Sequence, residues 1–385
     1  MLTSVEQKDI LILSAYLSAD WEVIVNSSLK KFLKYTLNVL LIIGITYFAL
    51  HTLFKDNEPG VILKKISEAD IKWILAAVFL MMLFVCGESI QFRMLFKGMK
   101  QKVSLVKCIL LSNIGFFFSQ ITPGASGGQP LQVVYMTKLG VNAFVSTLVC
   151  MMVTLVYKLS LVFLFLVALI LQPGFVGSAI NDVLLFFIVG IVIQAGFGLF
   201  LLACVLKPSL AAGVVNWFIK LGAKIHLIKK PEETKKRAEN SIKQYELASD
   251  FIKKNKCIMA KMAIITIFQR LAYFGVAFCV AMALNIEECN PVKIISLQII
   301  LSLAVDMLPI PGASGANEIL FVRLQTMIFG QAVSAGLLLN RGITYYFLAI
   351  VTGIFTLVAH IYFKRIKAKL DRQARLETEE QGGQL

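Results

Sequence analysis

The sequence predicts an all-α, polytopic membrane protein with inverted-topology repeats: about six full spans plus two re-entrant Pro-Gly hairpins. Of its 385 residues, 58% are hydrophobic, and the mean hydropathy is +0.77. Soluble domains are only about 45–50% apolar, and apolar segments long enough to cross a bilayer recur along this chain. In addition, the pentapeptide Pro-Gly-Ala-Ser-Gly occurs twice, at 123–127 and at 311–315, once in each half.

Each pentapeptide lies between apolar stretches that are too short to cross a bilayer comfortably. These are 104–121 and 131–136 around the first copy, and 292–308 and 319–329 around the second. Proline and glycine break helices, and a broken helix at membrane depth is tolerated only where it is buried in protein or lines a cavity. Two matching breaks therefore indicate the binding site of a transporter built from repeats.

The apolar pattern divides the chain into five parts. They are a cytoplasmic or interfacial N-terminal segment at 1–31, a first membrane half at 32–206 with a hairpin at 104–137, a basic cytoplasmic linker at 207–256, a second membrane half at 257–363 with a hairpin at 292–330, and a cytoplasmic tail at 364–385. The six predicted spans are 32–54, 71–96, 141–171, 179–206, 257–284 and 332–363.

The charges of the loops predict the orientation. The linker 207–256 holds twelve Lys/Arg against five acids, and the loop 97–107 is also basic. The loops 172–182 and 285–293 are acidic or nearly uncharged. Because basic loops stay in the cytoplasm, both termini should be cytoplasmic. The first hairpin then enters from the cytoplasm and the second from the exterior, as inverted repeats require.

The net charge of +15 does not indicate nucleic-acid binding, because the basic residues lie mostly between and after apolar spans. There they favour contact with anionic lipids of the inner leaflet. The seven cysteines are scattered and show no metal-ligand spacing, so we expect no metal and no cofactor.

Ionisable residues inside the apolar segments are candidates for function, because a charge at the bilayer centre costs about 2.5–3.5 kcal/mol on insertion scales. Lys158 and Arg341 each fall in the span that follows a hairpin, and we predict that they bind the substrate. A structural role is favoured for Arg93, Arg270 and Arg323, because long basic side chains near helix ends can snorkel to the interface. The candidate charge partners or coupling groups are Glu88, Arg93, Arg270 and Asp306. Asp306 and Glu318 could either neutralise the cations as buried ion pairs or titrate during transport.

The glycine-rich hairpin tips should expose backbone N–H groups, and half-helices that begin near Gly128 and Ala316 should add positive dipole ends. With Lys158 and Arg341 these features suit a phosphate headgroup. The predicted substrate-binding residues are Pro123, Gly124, Ser126, Gly127, Gly128, Lys158, Pro311, Gly312, Ser314, Gly315, Asn317, Glu318, Arg341 and Tyr345.

These motifs resemble those of the lysylphosphatidylglycerol synthase transmembrane-domain (flippase-like) family. The resemblance covers roughly 30–365 and is carried by Thr122-Pro123-Gly124 with Gly127-Gly128-Gln129-Pro130, by Leu308-Pro309-Ile310-Pro311-Gly312 with Asn317-Glu318, and by Asn340-Arg341-Gly342-Ile343-Thr344-Tyr345. Lys158 stands where the family leads us to expect arginine.

In two-part members of that family, the membrane domain moves aminoacylated phosphatidylglycerol between leaflets, and a separate soluble domain makes the lipid. This chain ends soon after its last predicted span. The resemblance therefore implies a stand-alone lipid translocase of the bacterial cell (inner) membrane and not a phosphatidylglycerol lysyltransferase. The translocated lipid would be an anionic or aminoacylated phospholipid or a polyprenyl phosphate.

Two other function classes remain open at this point. A secondary transporter for small solutes or ions could use the same paired hairpins. An enzyme is less favoured, because the sequence shows neither a Ser/His/Asp cluster nor a Walker A motif. A lateral opening wide enough for acyl chains would favour a lipid, and a closed polar cavity would favour a solute. The sequence also leaves a homo-oligomer open.

Overall fold

The computed structural model describes residues 59–207, 209–210, 212–214, 217, 246, 249–250, 253–287, 289–308, 310 and 312–363. The predicted N-terminal segment 1–31, the first span 32–54, the tail 364–385 and most of the linker 207–256 lie outside these residues. Within the described residues, the regular structure consists of helices, with no strand.

The helices follow the order of the chain. They are α1 (Pro59–Ser67), α2 (Ile71–Gly98), α3 (Leu105–Ile121), α4 (Gly128–Thr137), α5 (Ala143–Leu171), α6 (Pro173–Asp182), α7 (Leu184–Leu206), α8 (Lys256–Ala283), α9 (Pro291–Val305), α10 (Ala316–Phe329), α11 (Val333–Arg341) and α12 (348–363). A 3₁₀ turn (Gly330–Ala332) joins α10 to α11, and a π-helical segment (Gly342–Phe347) joins α11 to α12.

Five helical stretches of the described chain are long and apolar enough to cross a membrane: α2, α5, α7, α8 and the 48-residue run Ala316–Phe363. Shorter apolar helices, α3 and α9, accompany them. The protein is therefore an all-α polytopic membrane protein, which confirms the predicted class.

One boundary differs from the prediction. The hydropathy pattern predicts a span at 179–206, whereas α7 begins at Leu184 and the short helix α6 precedes it. Pro173 occupies the start of α6. A backbone N–H at this position would have no partner within the helix, so a proline, which lacks the N–H, costs no hydrogen bond there. Val183 then leaves the helical conformation, with φ −129° and ψ 22°, and separates the two helices.

Buried amides and glycines hold the central helices together. Gln91 on α2 donates its side-chain N–H to Gln269 on α8 (3.0 Å), and Gln269 donates to the Phe84 carbonyl (2.8 Å). Gly190 on α7 lies so close to α9 that an added Cβ would overlap the Leu303 carbonyl. Small residues and interhelical hydrogen bonds are the usual source of helix association in membranes.

Both predicted hairpins are helix–turn–helix units. In the first hairpin α3 ends at Ile121 and α4 begins at Gly128, and in the second α9 ends at Val305 and α10 begins at Ala316. The second arms thus begin where the sequence predicted. In the first hairpin the arms meet through glycine, because a Cβ on Gly128 would lie 2.6 Å from the Gly115 carbonyl oxygen.

Helix α5 connects the two hairpins, since it packs on α4 of the first and on α9 of the second. Helix α8 packs on α2, α5 and α9. Polar groups on α5 and α8 are thereby brought to the tips of both hairpins. The membrane face from which each hairpin enters stays a prediction.

Candidate functional site

A cavity of about 270 Å³ lies where the two hairpins meet α2, α5, α8 and the final helical run. Both tips contribute backbone, through Gly124 and Ala125 of the first hairpin and Gly312 and Ala313 of the second. These positions all have positive φ, between 50° and 59°. The repeated pentapeptide therefore turns the chain in the same way on both sides of the cavity.

The structure divides the predicted site residues into two groups. Those that line the cavity are Glu88, Gly124, Lys158, Arg270, Asp306, Gly312, Asn317, Arg341 and Tyr345. Those described outside its lining are Arg93, Pro123, Ser126, Gly127, Gly128, Ser314, Gly315 and Glu318. Pro311 lies outside the described residues. A binding role for any of them stays a prediction.

Arg341 is tied to the second hairpin. Its Nε donates to Glu318 Oε1 (2.7 Å), and its Nη2 donates to the Gly312 carbonyl (3.2 Å) and the Ser314 hydroxyl (3.4 Å). Both ionic side chains are buried, with about a tenth exposed (9% and 11%). Both residues were predicted to bind the substrate, and Glu318 was also a candidate for neutralising a buried cation; the structure joins the two as an ion pair.

Glu318 also completes the tip of the second hairpin. Its second carboxylate oxygen accepts a hydrogen bond from the Gly315 N–H, immediately before α10 begins. An acid three residues into a helix satisfies an N–H that would otherwise lack a partner and complements the positive end of the helix dipole. The carboxylate thus neutralises Arg341 and caps α10 at once.

Tyr345 links the two hairpins. Its ring lies 4.5 Å from the Arg341 guanidinium carbon, and its hydroxyl donates to the Gln120 carbonyl at the end of α3 (3.4 Å). Gly312 packs against the ring so closely that an added Cβ would overlap it. Tyr345 lies in the π-helical segment Gly342–Phe347. Such segments are frequent at functional sites, and no sequence signal indicated this one.

Among the described residues, Arg270 is a buried cation with unused hydrogen-bond donors. Its side chain is fully buried (0% exposed), and its guanidinium carbon lies 3.4 Å from the centre of the Tyr157 ring. Nη1 is 3.5 Å from Asp306 Oδ2, but Nε and Nη2 have no hydrogen-bond partner among the described residues. Buried donors are normally bonded. From the sequence, Arg270 was predicted only as a charge partner or coupling group, and a place on the cavity lining was not foreseen.

Lys158 also lacks an acidic partner. Its Nζ lies 3.1 Å from the thioether sulfur of Met307, which is a weak acceptor. No carboxylate of the described residues lies within salt-bridge distance of it. Asp306, which precedes Met307 in the sequence, accepts a hydrogen bond at Oδ1 from the Ser302 hydroxyl (3.1 Å).

Glu88 lies beside the first hairpin. Its Oε1 accepts a hydrogen bond from the Gln132 side-chain amide (2.6 Å), and the same amide donates to the Leu111 carbonyl (3.2 Å). Gln132, on α4, was missed by the sequence analysis. Nearby, the Gln129 amide donates to the Thr154 hydroxyl (2.9 Å). These amides join the first hairpin to α2 and α5.

Arg93 lies outside the cavity lining, although Arg93 and Arg270 each precede a hairpin in the sequence. Arg93 donates to the Val103 carbonyl in the loop after α2. The spacing of the two arginines therefore does not predict an equivalent position. Among the described residues, no group of His, Cys, Asp and Glu side chains is arranged to hold a metal ion.

The fold and the cavity define a multi-pass membrane protein whose two broken-helix hairpins enclose a charged cavity. The family described as Lysylphosphatidylglycerol synthase TM region matches residues 35–352, and the chain belongs to this family. A segment of 105 residues is 31% identical to a UPF0104 membrane protein of Pyrococcus horikoshii. This match covers 27% of the chain and 31% of the archaeal protein, which is about a third of its length.

Proposed function

We propose that the protein is a lipid flippase. It moves an anionic or aminoacylated phospholipid, such as lysyl-phosphatidylglycerol, or a polyprenyl-phosphate lipid between the leaflets of the bacterial cell (inner) membrane, with both termini in the cytoplasm. The observation that supports this function best is the fully buried Arg270, whose Nε and Nη2 lack partners among the described residues at a cavity between two hairpins.

The side-chain chemistry of Arg270 and Lys158 suits a phosphate group. Guanidinium N–H groups form strong, directional hydrogen bonds with phosphate oxygens. Stacking on Tyr157 fixes the plane of the Arg270 guanidinium, so that its free donors are oriented before the ligand arrives. Lys158 adds a second positive charge at the same cavity. Arg341 contributes less, because Glu318 already neutralises it.

The size of the cavity suits a headgroup and not a whole lipid. Its 270 Å³ lies just below the about 300–1,000 Å³ of typical ligand pockets. In this function the acyl chains stay in the surrounding bilayer while the polar headgroup occupies the cavity. The same small volume favours the second candidate, a secondary transporter of a small anionic solute, which would use the same two cations.

The experiment measures leaflet exchange of lipids with a fluorescent acyl chain in liposomes that contain the purified protein. The labelled lipids are phosphatidylglycerol, lysyl-phosphatidylglycerol and a polyprenyl phosphate. We expect Arg270→Gln to slow exchange by about tenfold or more, because it removes charge-assisted hydrogen bonds to phosphate. The double variant Arg270→Gln with Lys158→Ala should exchange the lipids more slowly still. Arg93→Gln, which lies outside the cavity, should leave the exchange rate unchanged.

Two results would contradict the proposal. Wild-type protein that is folded but exchanges none of these lipids would transfer support to the small-solute transporter. Exchange that is equally fast in Arg270→Gln and wild type would show that the cavity is not the headgroup site.

A further inference from the structure

Among the described residues, Glu88 is an acid of the cavity lining without a cationic partner. The other described carboxylate of the lining, Asp306, faces Arg270 at 3.5 Å. No lysine or arginine of the described residues lies within salt-bridge distance of Glu88. A lone carboxylate at membrane depth is costly while it is ionised, because no counter-charge offsets the loss of water. The protonated form of Glu88, which is neutral, avoids that cost.

The hydrogen-bond donors beside the Glu88 carboxylate are neutral. Its Oε1 accepts from the Gln132 amide (2.6 Å), and the Ser112 hydroxyl is a second donor. Gln132 is oriented by two further hydrogen bonds, one donated to the Leu111 carbonyl (3.2 Å) and one accepted at Oε1 from the Cys150 thiol (3.8 Å). A protonated carboxyl group keeps an acceptor oxygen for Gln132. The surroundings therefore suit both protonation states of the acid.

Other titratable or charged groups of the lining surround the same cavity. They are Cys150, Tyr157 and Lys158 of α5, Arg270 and Tyr273 of α8, Asp306 after α9, and Arg341 and Tyr345 of the final helical run. Thiols and phenols are neutral at neutral pH. Arg270, Asp306 and Arg341 belong to ion pairs, and Lys158 contacts the second hairpin. Proton uptake at Glu88 therefore changes a charge that no ion pair of the described residues compensates.

A phosphate that enters the cavity favours the protonation of Glu88. Lys158 and Arg270 attract the phosphate, whereas an ionised Glu88 on the same lining repels it. A like charge nearby disfavours the ionised form of a carboxylic acid. The phosphate and the proton therefore strengthen each other's binding, and this coupling is reciprocal. When the phosphate leaves, the proton is held less tightly and is released.

We propose that Glu88 is a proton-binding site that couples movement of the headgroup to a proton gradient. Glu88 takes up one proton when the phosphate binds and releases it when the phosphate leaves on the other side of the membrane. One negative charge of the lipid and one proton thus cross together. Hard metal cations bind oxygen ligands, whereas Gln132 directs an N–H group at the carboxylate, so the coupling ion is a proton. The inference rests on the proposed function and adds its driving force.

The test follows trace labelled phosphatidylglycerol in liposomes that contain the purified protein, with a pH difference across the membrane and the membrane potential held at zero. Protein-free liposomes give the baseline. Because proton and headgroup move together, wild-type protein should concentrate the lipid in the leaflet that faces the alkaline side. One proton per headgroup gives a leaflet ratio that approaches about tenfold for each pH unit.

Glu88→Gln should separate exchange from the gradient. Glutamine is neutral like the protonated acid and keeps an acceptor oxygen for Gln132, so the contact between α2 and α4 is retained. Lipid exchange should continue in this variant, and the leaflet ratio should no longer depend on the pH difference. A ratio that follows the pH difference as in wild type overturns the inference.

Lys158→Arg is the matched control at the other cavity residue without an ion-pair partner among the described residues. Arginine keeps the positive charge but cannot release a proton. Whatever its exchange rate, this variant should keep the response to the pH difference. If it exchanges the lipid and has lost the response, Lys158 carries the proton and the role of Glu88 is overturned.

Three results with wild-type protein separate the inference from the proposed function. Exchange that ignores the pH difference overturns the proton coupling and leaves the flippase intact. A leaflet ratio that follows a sodium gradient at equal pH, in place of the pH difference, also overturns it. Wild-type protein that is folded and exchanges no lipid contradicts the proposed function itself.

A second measurement needs no variant. Short-chain phosphatidylglycerol is added to wild-type protein in weakly buffered detergent solution, and a pH indicator reports proton uptake at a series of starting pH values. The inference requires uptake that approaches about one proton per bound headgroup at a pH where the empty site is ionised. Binding without proton uptake at every pH overturns the inference even if Glu88→Gln does not fold.

Discussion

The two hairpins have the same pentapeptide and nearly the same turn. Gly124 and Gly312 have φ of 59° and 58°, and the alanines that follow them, Ala125 and Ala313, have φ of 55° and 50°. Positive φ is uncommon for alanine. The same five residues therefore impose the same left-handed turn in both halves of the molecule, whatever surrounds them.

The hairpins diverge at the last glycine of the pentapeptide. Gly127 has φ −83°, whereas Gly315 has φ 85°. Three residues later the second hairpin has Glu318, which binds the Gly315 N–H and Arg341, and the first has Pro130. Lacking that acid, the first hairpin is held by Thr122, whose hydroxyl accepts from the Gly127 N–H (2.8 Å).

The difference shows that a repeated motif determines the backbone conformation of a turn without determining the contacts that stabilise the turn. The second tip is fastened by a buried ion pair to α11, and its Ser314 is only 5% exposed. The first tip is fastened by hydrogen bonds within the hairpin, and its Ser126 is exposed. Substitutions at matching positions should therefore have unequal effects.

The largest effect is expected for Glu318→Ala, which leaves the buried Arg341 without its counter-charge and removes the cap of α10. Breaking a buried pair costs about 3–5 kcal/mol. The matched variant Pro130→Ala, at an exposed position, should change the free energy of unfolding by about 0.5 kcal/mol or less. Both are measured by denaturant unfolding in detergent.

The double variant Glu318→Ala with Arg341→Met serves as the control for this prediction. Because it removes both charges, it should recover part of the lost stability. Equal destabilisation by Glu318→Ala and Pro130→Ala would show that the two tips are held alike.

A smaller effect is expected for Gly312→Ala. The positive φ (58°) costs a side chain about 1–2 kcal/mol, and overlap with the Tyr345 ring adds about 1–3 kcal/mol. Gly140→Ala isolates the first term, because Gly140 also has positive φ (82°) but open space around its missing Cβ. The melting temperature in detergent should fall more for Gly312→Ala. The same decrease in both variants would contradict the close approach to Tyr345.

The smallest effect is expected at the hydroxyl groups of the tips. Thr122→Val removes two hydrogen bonds, one accepted from the Gly127 N–H and one donated to the Phe118 carbonyl (2.6 Å), and each is worth about 1 kcal/mol. Ser314→Ala removes only a long contact with Arg341 (3.4 Å). Denaturant unfolding should therefore show the larger loss for Thr122→Val, and the opposite order would mean that Ser314 anchors its tip more strongly than the geometry indicates.

Local sequence signals predicted the elements of the fold well. The breaks after Ile121 and before Ala316 follow from proline and glycine, which act on their own stretch of backbone. The π-helical segment after Arg341 has no such signal. The predicted correspondence of Lys158 with Arg341 is not reflected in their contacts, since both contact the second hairpin, at Met307 and at Glu318.

By itself, the sequence determined the membrane class, the five described spans and the position of each hairpin, because hydropathy and helix breaking are properties of neighbouring residues. Only the tertiary structure decided which charges are paired. Arg341 meets Glu318 across 23 residues and Arg270 meets Asp306 across 36, while Lys158 and Glu88 are left to face the cavity. Pairing depends on which helix faces lie against each other, and the separation of residues along the chain does not specify this.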